Sequence, residues 1–143
     1  MHIHTKFLGL VFLSTFIMEP AMQTVTNIPT KKLHNGFEMP VYGFGTTSMG
    51  GHRERNFDND DNADIATLNA AIDSGITHFD TAELYAGGYT EQLLAKAIKG
   101  YDRSKLFIVS KVKAANVAYA DVIVSCKKSL QRGEVGLKVL VFA

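Results

Sequence analysis

Gly75-Ile76-Thr77-His78-Phe79-Asp80-Thr81-Ala82-Glu83-Leu84-Tyr85 puts an acid at the end of a short apolar run and a tyrosine in the loop beyond it. On its N-terminal side, Ile65, Leu68 and Ile72 recur at helical spacing, Asp61 or Asn62 can cap that helix, and Gly75 stops it. On its other side a loop through Ala86-Gly87-Gly88 leads to a helix opened by Thr90, with Leu93, Leu94, Ala97 and Ile98 on one face and Gly100 at its end. Leu106-Phe107-Ile108-Val109-Ser110-Lys111 follows, apolar almost throughout, as a strand covered on both faces should be. A third helix is predicted over Tyr119 to Gln131, with Val122, Ile123, Cys126 and Leu130 inward, and Leu137 to Phe142 reads as one more strand. Upstream, Val41 to Thr46 reads as a strand entering a glycine-bearing loop. Before it, Lys31 to Met39 holds Asn35-Gly36 between short runs, a strong hairpin signal. Strands alternating with helices across short loops predict an α/β fold with a parallel sheet.

That topology gives the ionisable residues a common address. All strand C-termini of a parallel sheet lie at one edge, so Asp80, Tyr85 and Lys111 are expected to converge there. A lysine that ends so apolar a strand needs a partner, and Asp80 is the obvious one. A phenol titrates near pH 10 unperturbed. An adjacent ammonium favours the phenolate and makes a phenol a better general acid at neutral pH. The trio thus suits proton donation, although the same spacing is met by a buried salt bridge beside a packed tyrosine.

Composition narrows the partners. The sequence has 143 residues, 46% of them hydrophobic, and a formal net charge of +1, which suits one core. Lysines and acids alternate, so no clustered basic surface points to nucleic acid. The single cysteine, Cys126, excludes an intrachain disulfide and reads as a small core residue. No metal site is expected. His2, His4 and His52 are scattered, and Asp58-x-Asp60-x-Asn62 has Ala63 where a calcium loop needs glycine. The glycines do not form the G-x-G-x-x-G of a Rossmann dinucleotide site.

Gly43-Phe44-Gly45-Thr46, the D-T-A-x-x-Y run from Asp80 to Tyr85 and the strand ending at Lys111 together resemble the aldo-keto reductase family. The likeness runs from about Leu33 to Arg132 and includes Ser129-Leu130-Gln131-Arg132. It implies a (β/α)8 TIM barrel preceded by a bottom-covering hairpin, of which about three to four βα units are present here. It also implies NADPH as cofactor and a small aldehyde or ketone as substrate. By motif, Tyr85 would donate the proton, with Lys111 and Asp80 its supporting pair. Gly45, Thr46 and Thr47, with Asp80, would lie by the nicotinamide; Thr47 stands where the family often has an aromatic residue. The family's fourth strand ends in a histidine that orients the carbonyl. Gly133 to Ala143 does not match that strand closely, and His78 cannot replace its histidine, because it precedes Asp80 within its own strand.

Two expectations follow. These residues, read as a truncated N-terminal fragment of the barrel, should show little activity alone, and their open sheet edges should favour self-association. Residues 1–22 fall outside the 23–143 reductase region. The uncharged run Phe7 to Met18 is shorter than the roughly 20 residues of a membrane span and has the size of a signal-peptide core. Glu19-Pro20-Ala21 makes a poor cleavage site, so residues 1–22 are read as a vestigial leader or as the product of a start codon called too early, with Met18 or Met22 opening the protein. A cytoplasmic location goes with it, and export with the alternative.

Overall fold

The computed structural model describes residues 28–133 and 139–142; residues 1–22, read above as a leader or mis-called start, and the beginning of the last predicted strand lie outside these residues. The hairpin forms where Asn35-Gly36 predicts it. Strands β1 (Thr30–Lys32) and β2 (Glu38–Pro40) pair antiparallel with Lys31 opposite Met39, and the Asn35 side chain accepts a hydrogen bond from the Phe37 N–H.

Four parallel strands then alternate with three helices. They are β3 (Phe44–Gly45), α1 (Asp61–Asp73), β4 (His78–Asp80), α2 (Tyr89–Ile98), β5 (Phe107–Val112), α3 (Tyr119–Gly133) and β6 (Val139–Phe142). The sheet order is β3-β4-β5-β6, so every strand pairs with its successor through a helical crossover. This is a partial (β/α)8 barrel with an N-terminal hairpin, as the sequence implied. Strand β3 is shorter than the predicted Val41 to Thr46. Just before it, a Cβ at Gly43 would come within 2.8 Å of the His78 ring, which takes that space and meets the Pro40 carbonyl at 3.0 Å. His78 also meets Phe107 edge-on, so it is a packing residue.

One apolar core holds the layers together. Phe79 and Ile108 from the sheet pack with Leu68 of α1 and Leu93, Leu94, Ala97 and Ile98 of α2. Truncating one such leucine costs about 2–5 kcal/mol in comparable cores.

Local details depart from the sequence reading. Asp60, one residue earlier than expected, caps α1 by accepting from the N–H groups of Asn62 and Ala63. Thr90 does not cap α2; its hydroxyl donates to the Met49 carbonyl at 2.6 Å and ties the helix to the loop after β3. On α3, Ile123 and Leu130 are 41% and 37% exposed, while Ser125 and Ser129 are buried. Hydrophobicity misplaces that face because small serines allow close packing once their hydroxyls are satisfied, here by Asn116 and Arg132. Cys126 is free and half-buried. Among the described residues no helix is long and apolar enough to cross a membrane, and no group of three or more His, Cys, Asp or Glu could hold a metal ion.

The first turn of α1 predicts a pH effect. Asp61 accepts from the Tyr89 hydroxyl at 2.6 Å and from Asn59 at 2.9 Å, and these bonds hold its carboxyl below the usual range. A carboxyl depressed in the folded state adds stability that is present above its unfolded pKa, about 3.9, and lost as pH falls through the folded value. Tyr89→Phe should therefore raise the Asp61 titration midpoint, seen by carboxyl NMR, and move acid unfolding to higher pH.

Candidate active site

The C-terminal edge of the sheet collects the three residues singled out in the sequence. Asp80 is the last residue of β4 and lies opposite Gly45 on one side and Val109 on the other. Lys111 lies two residues further along β5, on the same face as Val109 by strand alternation. Tyr85 begins a tight turn just beyond β4, with its backbone N–H on the Ala82 carbonyl.

The lysine ammonium is the hub. It donates to Asp80 Oδ1, to the Thr81 carbonyl at 3.1 Å and to Tyr85 Oη at 3.4 Å. Three N–H donors thus have three acceptors, which meets the demand of a lysine at the end of an apolar strand. The Asp80 and Lys111 side chains are 40% and 22% exposed, so the ion pair sits at the rim of the sheet. The contact to Tyr85 is longer than an ordinary hydrogen bond. Because the ammonium donates to the phenol oxygen, the phenol's own proton is left to point elsewhere. A pocket of about 220 Å³, bordered by Ala82, Leu84, Tyr85, Lys111 and Ala114, lies against this pair. A larger cleft of about 450 Å³ between α2 and α3 touches none of the trio.

The residues expected near a cofactor divide in two. Gly45 and Thr47 are exposed, and a Cβ on Gly45 would meet nothing within 4 Å, so the backbone is open to an approaching group there. Thr46 is fully buried, and both its N–H and its hydroxyl donate to the Asp80 carbonyl at 3.0 Å. It fixes Asp80 from beneath. The sequence reading missed a support on the other side. Glu83 accepts from the Lys113 N–H at 2.8 Å and from Asn116 at 3.1 Å, and its own N–H donates to the Lys111 carbonyl.

It also missed Glu91, which is fully buried although it belongs to a residue type that is rarely so. Glu91 accepts from Ser110 Oγ and from Arg132 Nε, each at 2.6 Å. The available signal was its place among Leu93, Leu94 and Ala97, one turn after the glycines.

The Aldo/keto reductase family matches residues 42–140, and the chain belongs to it. It is 37% identical over 94 residues to methylglyoxal reductase YeaE of Escherichia coli (strain K12), covering 66% of this chain and 31% of that protein. It is 36% identical over 107 residues to glyoxal reductase of Bacillus subtilis (strain 168), covering 72% of this chain and 34% of the relative. The chain thus spans about a third of these relatives' length. A thermostable aldo-keto reductase crystallised with the inhibitor epalrestat superposes with a TM-score of 0.73 at 38% identity, over 78% of this chain and 41% of that one. An aldo-keto reductase from Klebsiella pneumoniae in complex with NADPH gives 0.66 at 33% identity, over 78% and 37%. NADPH or NADP is therefore the cofactor found in solved relatives.

Removing the Glu91 carboxylate strands the Arg132 charge and the Ser110 hydroxyl. Glu91→Ala should cost about 3 kcal/mol, the lower end for broken buried pairs because Arg132 is partly open to solvent. Urea denaturation followed by circular dichroism measures it.

Proposed function

We propose that this chain carries the proton-donating half of an NADPH-dependent reductase of small aldehydes and ketones, with Tyr85 as the acid. The Lys111 ammonium lying between Asp80 and Tyr85 is the observation that supports it. When bound, NADPH supplies the hydride that reaches the carbonyl carbon. Tyr85 donates its proton to the carbonyl oxygen, and the phenolate left behind is stabilised by the neighbouring ammonium. Asp80 keeps that ammonium in place, and Thr46 keeps Asp80 in place.

The residues present fit the reacting end of the cofactor. Gly45 and Thr47 offer an open, polar backbone edge beside Asp80, and these three would hold the nicotinamide end while Thr46 supports them from below. Phosphate sites of TIM barrels are usually built after strands seven and eight, so the described strands account for the nicotinamide end alone. The relatives' names make methylglyoxal and glyoxal the first carbonyls to try. Residues 23–143 carry this reading, and a cytoplasmic location goes with it.

Turnover needs more than four strands in this proposal. A second reading, a half-barrel module that pairs with another chain, is favoured by the outer edges of β3 and β6, which have no strand partner among the described residues. Size exclusion separates the two, since a stable monomer counts against pairing.

Residues 1–143 alone are expected to give no saturable change in NADPH fluorescence and little carbonyl-dependent NADPH loss; tight, saturable binding would overturn this. Fused to the remaining strands of the Bacillus subtilis relative, the chain should reduce methylglyoxal or glyoxal. In that fusion Tyr85→Phe should lower kcat by about 10²–10⁴-fold, the usual worth of a general acid. Retention of kcat would remove Tyr85 from the role.

A further inference from the structure

We propose that Glu91 is a positioning residue for the Tyr85–Lys111 pair, locking the strand that bears the lysine to the turn that bears the tyrosine. The role given to that pair rests on the functional reading above; the mechanical coupling rests on geometry alone. Ser110, whose hydroxyl donates to Glu91 Oε1 at 2.6 Å, immediately precedes Lys111 on β5. Neighbours on a strand face opposite ways, so Ser110 meets the helix layer while Lys111 turns to the other side of the sheet. Holding Ser110 therefore fixes where Lys111 projects without touching it.

The other carboxylate oxygen reaches the tyrosine's turn. Oε2 accepts from Arg132 Nε at 2.6 Å, and Arg132 also donates to Ser129 at 2.9 Å. The Arg132 side chain lies directly against Gly88, the last residue of the turn that Tyr85 opens. A Cβ at Gly88 would come within 2.7 Å of Arg132 Nε and 2.8 Å of its Cδ. Ala86, Gly87 and Gly88 have φ of 49°, 64° and 92°, three consecutive residues in the left-handed region. The two glycines adopt it freely, whereas Ala86 holds it only where its surroundings over-determine it. The Ala86 N–H on the His52 carbonyl, at 2.7 Å, pins one end, and the Arg132–Glu91 pair braces the other.

A hydrophobic pair of equal volume would hold α2 to α3 as well as this ion pair, or better. What it would not provide is direction. Two short hydrogen bonds accepted by one carboxylate set the register of α2 against both β5 and α3, and so the spacing between Tyr85 and Lys111.

The test is the rate at which Lys111 of the full chain is acylated by a succinimidyl ester, read by peptide mass mapping and normalised to Lys96 on α2 and Lys99 at its C-terminal end. Glu91→Gln and Ser110→Ala should raise the relative rate at Lys111 about threefold to tenfold, the size of one lost hydrogen bond, with Lys96 and Lys99 unchanged. Where Glu91→Gln fails to fold by circular dichroism, Ser110→Ala, which leaves the ion pair intact, decides. An unchanged Lys111 rate in folded Ser110→Ala overturns the proposal. So does an equal rise at every lysine, which would mark a purely stabilising role. The readout needs no turnover. A fusion that stayed active with Tyr85→Phe would end the catalytic reading and leave this coupling standing.

Discussion

One ammonium has to be satisfied at the end of an apolar strand, and the site is organised around that need. Lys111 follows four buried residues of β5, and its charge is tolerable there because Asp80, the Thr81 carbonyl and Tyr85 Oη all lie within reach. Those acceptors come from the adjacent strand and the turn after it. A parallel pairing that sets Asp80 opposite Val109 is what brings them near. The chemistry proposed for Tyr85 draws on the same constraint, since a cation held beside a phenol oxygen would support the anion formed if the phenol gave up its proton.

Around this centre the structure uses backbone carbonyls and buried polar side chains as braces. Thr46 takes the Asp80 carbonyl, Glu83 takes the loop after β5, and Thr90 takes the Met49 carbonyl from the loop after β3. Each bond joins residues at least 30 positions apart in the chain. They stiffen the mouth of the sheet, while the leucines of α1 and α2 supply the bulk of the burial beneath it. The division is physically sensible. Apolar packing is strong but non-directional, whereas hydrogen bonds contribute modestly and fix geometry.

Family membership and this fold agree with the resemblance read from the motifs. The parallel order of four strands, the hairpin before them and the convergence of Asp80, Tyr85 and Lys111 are what the motifs implied. The match to relatives covers about a third of their length, so the other strands of those proteins have no counterpart in this comparison.

Periodicity and motif spacing sufficed for the alternation of elements, the hairpin at Asn35-Gly36 and the edge at which the trio meets. Those features depend on local patterns of apolar residues, turn glycines and the common polarity of parallel strands. Tertiary structure alone decided which face of α3 is buried, that Thr46 serves Asp80 from beneath, and that Glu91 lies in the core with Ser110 and Arg132. The reason is that partnership for a polar group is non-local. Glu91 reads as a surface residue until Ser110, 19 positions on, and Arg132, 41 positions on, are folded against it.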